Sequence, residues 1–144
     1  MERTFHMLLY RAFHAQRNYL RPCLNEIGLC PGQPKLITYL ATNGPCRQRQ
    51  LADYLEVDPA AISRMLESLQ KGGFVCLQED DTNRRCKLVA LTDRGREANA
   101  LWRQNCGEIE EIMLQGFTRQ EREQFADYLT RVRQNFTQWK EVHP

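Results

Sequence analysis

The sequence predicts a mainly α-helical fold with one small β-hairpin set among the helices. Three observations predict it. Apolar residues recur at helical spacing near both ends of the chain, from Phe5 to Ile27 and from Ala98 to Trp139. Between them, two short helical patterns meet at the turn "EVDP", and the second opens on Asp58 and Pro59. Two β-type runs, 74–78 and 86–92, follow directly around a polar tip.

The elements follow in order. Phe5, Leu8, Leu9, Ala12 and Phe13 make one helical stripe, continued by Leu20, Leu24 and Ile27, with a kink or pause expected where Pro22 removes a backbone donor. "GLCPGQP" is a break, and Pro34 fits the first turn of the next helix, whose inner face is Leu36, Ile37 and Leu40. After the turn "TNGP" a short helix shows Leu51, Ala52, Tyr54 and Leu55 on its apolar side. Asp58 is a good N-cap and Pro59 a good first helical residue, so another helix starts there. It buries Ile62, Leu66 and Leu69 and stops at Gly72-Gly73. Two short helices joined by a tight turn are a helix-turn-helix, and the hairpin behind them is a wing. Ala98, Leu101, Trp102, Asn105, Ile109, Ile112 and Met113, of which only Asn105 is polar, stripe a long helix that ends at Gly116. Thr118 with Glu121 is a capping box for a last helix, striped by Phe125, Tyr128, Leu129, Val132, Phe136 and Trp139. The flanking helices carry more large apolar residues than one small winged domain buries, which predicts a subunit interface.

Composition narrows the function. No run approaches the length of a membrane span, and "MERTFHMLLYRAFHAQ" lacks the apolar core and cleavage site of a signal peptide, so a cytoplasmic protein is expected. The six cysteines are then expected to be thiols. None forms a C-x-x-C pair and the three histidines are scattered, so no metal site and no cofactor are expected. There is no nucleophile–base constellation and no phosphate-binding glycine loop, so no catalytic residues are assigned and an enzyme is not expected. A net charge of +2 is too small to argue for nucleic acid, so any basic surface must come from placement.

Residues 28–95, "GLCPGQPKLITYLATNGPCRQRQLADYLEVDPAAISRMLESLQKGGFVCLQEDDTNRRCKLVALTDRG", resemble the MarR (multiple antibiotic resistance regulator) family of transcription factors. The core "LADYLEVDPAAISRMLESLQKGGFV" is shared in outline by many winged regulators. A wing ending in "RR" shortly before "LVALTDRG" is more characteristic. The resemblance implies one domain over 1–144, with dimerisation helices at 1–30 and 97–144 and a DNA-binding region at 31–96. The second motif helix, roughly 58–71, would enter the major groove of double-stranded DNA with Pro59, Ala60, Ala61, Ser63 and Arg64 facing it. Arg85 matches the family's minor-groove arginine, and Arg84 stands beside it. Two departures stand out. Asn83 replaces the aspartate that orients the wing arginine. Arg47 replaces the Ser or Thr cap of the first motif helix, a loss typically worth about 1 kcal/mol, and is left to reach elsewhere, a phosphate being one option.

Physics alone leaves alternatives open. Ala60, Ala61 and Ser63 allow close approach to base edges, yet alanine and serine are also ordinary on a solvated helix face. Arg84 and Arg85 fit a phosphate-lined groove, or a solvated turn. Glu79, Asp80 and Asp81 would repel phosphates unless turned away or paired, and Asp80 is the natural internal partner for the wing arginines. The expected function is a homodimeric repressor at a pseudo-palindromic operator, its recognition helices about 34 Å apart, released by a small aromatic effector or an oxidant. The competing reading is a winged-helix protein–protein interaction module without DNA binding. For the effector, His14, Arg17 and Tyr39 are polar candidates, none of them assigned. For the oxidant, Cys23 beside Arg21 is one candidate, and Cys76 with Cys86 is another if they are cross-strand neighbours.

Overall fold

The computed structural model describes residues 4–144. They form, in chain order, α1 (Phe5–Ile27), α2 (Gln33–Asn43), α3 (Gln48–Leu55), α4 (Pro59–Lys71), β1 (Val75–Glu79), β2 (Lys87–Leu91), α5 (Asp93–Met113) and α6 (Arg119–Val142). This is the expected mainly helical, winged helix-turn-helix order. The chain divides into two compact units, one ending at Ile109 and the other running from Glu110 to Pro144.

In the first unit, α1 is continuous through Pro22, without the pause that was one of the two expectations there. Gly28 ends it in the left-handed conformation at φ 91°, donating its N–H to the carbonyls of Leu24 and Asn25. Pro34 lies in the first turn of α2, as its fixed φ favours, and Leu36, Ile37 and Leu40 are buried. Asp58 caps α4, its Oδ1 accepting the Ala61 N–H at 2.9 Å. The inner faces meet in one cluster that includes Leu24, Leu36, Ile37, Leu51, Ile62, Leu66, Leu69, Phe74 and Val89. Tyr54 departs from the expected inner face of α3. It is 64% exposed and rests against Tyr39 with ring centroids 4.5 Å apart.

The wing is a two-stranded antiparallel sheet in which Val75 pairs with Leu91, Leu77 with Val89 and Glu79 with Lys87. A third segment joins it. Cys46 donates its N–H to the Val89 carbonyl at 3.1 Å and accepts the Val89 N–H at 2.8 Å. The wing stem is therefore bonded to the residue that precedes the helix-turn-helix. This register corrects one expectation. Cys76 faces Ala90, four positions along β2 from Cys86. At about 3.3 Å per residue that is about 13 Å, about twice the Cα separation a disulfide spans. None of the six cysteines is in a disulfide.

Thr92 joins the wing to α5. Its hydroxyl donates to the Gly73 carbonyl at 2.5 Å and accepts the Gly95 N–H at 3.1 Å. Gly95 is buried against the Phe74 backbone, and a Cβ there would lie 2.2 Å from the Phe74 carbonyl oxygen.

In the second unit, the capping box opens α6 as expected. Glu121 donates its N–H to Thr118 Oγ1 at 3.1 Å, and its carboxylate accepts the Thr118 N–H at 3.0 Å. These two bonds hold the Glu121 carboxyl below its ordinary range. No residue of α6 is buried. Phe136 and Trp139 are 67% and 60% exposed. A helix of this length with so apolar a stripe and none of it buried has the form of half an interface.

Gly95→Ala should lower stability by about 2–3 kcal/mol, because backbone rather than a flexible side chain must move. Urea unfolding followed by circular dichroism measures this, and an unchanged midpoint would contradict the packing described.

Candidate nucleic-acid interface

α4 stands with its leading end open to solvent. Pro59, Ala60, Ser63 and Arg64 are exposed and Ala61 is half-buried, while Ile62 on the opposite side is completely buried. The expected reading face is therefore outward, presenting two small side chains, one hydroxyl and one guanidinium. Arg84 and Arg85 are exposed on the wing. Both sets of residues lie in the first compact unit.

Some exposed cations find acids: Lys71 pairs with Glu67 at 3.3 Å, Arg119 with Glu123 at 3.3 Å, and Arg96 with Asp93. Among the described residues, no acid pairs with Arg64, Arg84 or Arg85. Three unpaired guanidinium groups on a helix face and a hairpin tip give the local positive charge that the total of +2 did not.

The wing loop is built from Asp80 outward, and not as expected. Asp80 turns inward, 11% exposed at its side chain, and pairs with Arg47 rather than with the wing arginines. Arg47 donates Nη2 at 2.9 Å and Nε at 3.2 Å to one carboxylate oxygen. The other oxygen accepts the Thr82 hydroxyl at 2.7 Å and the Thr82 N–H at 3.0 Å. The Thr82 hydroxyl, then the Arg47 guanidinium, then the Thr82 N–H hold the Asp80 carboxyl down at about 2. The same pairing raises the Arg47 guanidinium. Of the three acids expected to repel phosphates, Asp80 is thus neutralised inside the wing while Glu79 and Asp81 stay exposed, and Arg47, which had phosphate as one option, is held by Asp80.

Asn83 also differs from expectation. Its amide oxygen accepts the backbone N–H of Arg85 at 3.1 Å, so it shapes the loop and leaves the guanidinium unoriented. Its Nδ2 points to Cys86 Sγ at 3.6 Å.

Sequence reasoning missed Gln48. As the first residue of α3 it donates Nε2 to Ser63 Oγ at 2.6 Å. The only sequence signal was its neighbour, because an arginine cannot accept a capping bond. The cap is closed from the other side, by Gln50 accepting the Arg47 N–H at 2.9 Å.

A separate cavity of 290 Å³ lies within the first unit, lined by Phe13, Gln16, Arg17, Leu20, Leu24, Lys35 and Trp102 among others. Of the three polar candidates only Arg17 lines it. His14 stacks on Tyr10 at 5.5 Å and Tyr39 lies against Tyr54. Cys23 is half-buried on α1. Among the described residues no group of acids, cysteines and histidines could hold a metal ion, and no helix is long and apolar enough to cross a membrane.

A buried three-helix core, an outward helix with a small-residue tip and an arginine-tipped hairpin define a winged helix-turn-helix of the nucleic-acid-binding class. Comparison with known proteins gives the family. The MarR family profile matches residues 29–87. The uncharacterized HTH-type transcriptional regulator YybA of Bacillus subtilis is 29% identical over 118 residues, covering 81% of this chain and 79% of that one. The crystal structure of MarR superposes with a TM-score of 0.81 at 25% identity and 97% coverage of both chains. A MarR family regulator from Listeria monocytogenes, crystallised with a 26mer DNA, superposes at 0.81 with 24% identity, covering 94% of this chain and 89% of that one. The chain belongs to the MarR family.

The pH behaviour of the wing follows from Asp80. Its pKa is depressed when folded, so its contribution is complete above the ordinary carboxylate value of 3.8 and is lost as pH falls towards about 2. The Thr82 amide resonance should therefore hold its position down to about pH 3 and shift with a midpoint of about 2. A midpoint at the ordinary carboxylate value would contradict the Arg47 and Thr82 bonds.

Proposed function

We propose that this chain is a sequence-specific DNA-binding transcriptional regulator, acting as a homodimeric repressor at a pseudo-palindromic operator. The observation that carries the reading is that α4 and the wing both present unpaired arginines outward while their other sides are fixed in one core. α4 enters the major groove with Pro59, Ala60, Ala61 and Ser63 against the base edges, and Arg64 on a phosphate or a guanine. Arg85 enters the adjacent minor groove and Arg84 holds the flanking phosphate. Acting on DNA, the protein works in the cytoplasm. No catalytic role is assigned to any residue.

Two protomers meet through the exposed stripes of α1 and α6, which include Phe5 and Phe13 on one and Phe136 and Trp139 on the other. For release, the 290 Å³ cavity suits a small aromatic acid: Phe13 and Trp102 offer apolar walls, and Arg17 and Lys35 offer charge for a carboxylate. The ligand acts by changing the spacing of the two recognition helices, which on DNA are about 34 Å apart.

Duplexes selected from random DNA should bind with an affinity that falls steeply as salt rises, whereas an interaction module would show no such duplex binding. Arg85→Ala should lose more on A·T-rich flanks than on G·C-rich ones, and Arg84→Ala should lose equally on both, read by fluorescence anisotropy. Arg64→Ala should cost about 1–3 kcal/mol on the operator alone if it reads a base, and weaken all duplexes alike if it holds a phosphate. Phe136→Asp should give monomer or aggregate in sedimentation, and a stable dimer at micromolar concentration would remove α6 from the interface.

A further inference from the structure

The N-terminal end of α3 carries two adjacent side chains that reach to different elements. Gln48 donates to Ser63 on α4 at 2.6 Å. Arg47 donates two bonds to Asp80, the residue at which the sheet ends and the wing loop begins. Asp80 passes the connection on. Its side chain holds Thr82, and its carbonyl accepts the Asn83 N–H at 3.1 Å. The Asn83 carbonyl then accepts the Cys86 N–H at 3.0 Å, and the Asn83 amide oxygen accepts the Arg85 N–H. One continuous run of bonds therefore leads from the recognition helix, through Gln48 and Arg47, to the wing arginine.

Nothing else described performs this task for the loop. The Cys46–Val89 bridge fixes the stem of the wing, the cross-strand pairs stop at Glu79–Lys87, and the Asp80 N–H reaches the Cys86 carbonyl at 3.4 Å, which closes the base of the loop on itself without tying it to α3 or α4. Residues 81–85 are exposed and carry no apolar anchor. The Arg47–Asp80 pair is charge-assisted and sits where Asp80 is mostly withdrawn from water, so it is directional as well as attractive. The α3 cap is closed by Gln50 without help from the Arg47 side chain, which leaves that side chain for the wing.

We propose that Arg47 and Gln48 are positioning residues that hold the wing tip at a fixed distance from the recognition helix. The protein then discriminates among DNA sites by the spacing between the major-groove half-site and the A·T-rich minor groove beside it. This rests on the DNA-binding reading above and adds a specificity that neither groove contact gives alone. Preorganising the wing removes an ordering cost from binding at the matched spacing and imposes a misfit at any other.

The test uses the full chain and two duplexes. One is a site selected by the wild type. The other has a single base pair inserted between half-site and flank, which moves the flank by about 3.4 Å and about 34°. The wild type should prefer the first by about tenfold, and Arg47→Met and Gln48→Ala should each reduce that preference to about twofold. Arg47→Lys, which keeps the charge, should retain more of it than Arg47→Met. In the free protein, amide hydrogen exchange at Thr82 and Cys86 should quicken in Arg47→Met while exchange at Ile62 stays as in the wild type. If the wild type binds both duplexes equally, or if Arg47→Met weakens both by one factor and leaves the preference intact, the spacing role is overturned and DNA binding stands. If the wild type binds no duplex, the DNA-binding reading fails. Unchanged exchange at Thr82 and Cys86 in Arg47→Met overturns the positioning role of Arg47 with or without DNA.

Discussion

The placement of the recognition helix and the wing depends on one small core shared by α2, α3, α4 and the wing. Ile62 and Leu69 of α4 and Val89 of β2 are almost wholly buried, in a cluster with Leu36, Ile37 and Leu51. An arginine at a hairpin tip and an alanine at a helix tip are tied only by local bonds within their own loop or helix turn. Their positions are inherited from the buried ends of the same elements. The core is therefore as much a part of recognition as the exposed residues are, because it converts two flexible protrusions into a rigid pair. The Cys46–Val89 backbone bonds extend that rigidity into the wing stem.

Much of this could be read from residues alone, for physical reasons. Helical periodicity located the inner faces of α2 and α4, and that of α5 in part: Ala98 and Ile109 are buried, whereas Leu101, Ile112 and Met113 are exposed. Asp58 and Pro59 marked the start of α4, and Thr118 with Glu121 marked α6, because caps are local chemistry. The outward face of α4 followed from the burial of Ile62, Leu66 and Leu69. The long-range polar contacts could not be read in the same way. Arg47 and Asp80 are far apart in sequence, and no pattern announces that an ill-suited cap will reach across to a wing. The same limit explains the misplaced Cys76–Cys86 pairing, since register is set by both strands together. It also explains Asn83, whose short side chain found the nearest backbone N–H before the guanidinium. Tyr54 was drawn inward by its period, but it lies exposed against Tyr39.

The Arg47 substitution shows how a local loss becomes a tertiary gain. A Ser or Thr at that position would close the helix cap and stop there. Arginine gives up the cap bond, lets Gln50 close the helix from within, and turns its guanidinium to the wing. Asp80 in turn is spared from facing phosphates, so one pairing both fixes the loop and removes an unfavourable charge from the face that Arg84 and Arg85 occupy.

The exposure of α6 carries a consequence for dosage. A helix whose apolar stripe has no cover draws its stability from association, so by mass action its folded fraction rises with the amount of chain present. In the dimer reading, dilution removes an ordered helix along with the partner, and the loss of assembly steepens. Occupancy of an operator by such a protein depends on the square of the free protomer concentration when dimers are scarce. A modest change in synthesis or turnover then produces a disproportionate change in the regulated gene. In that reading the uncovered face of α6 helps set the abundance at which the regulator begins to act.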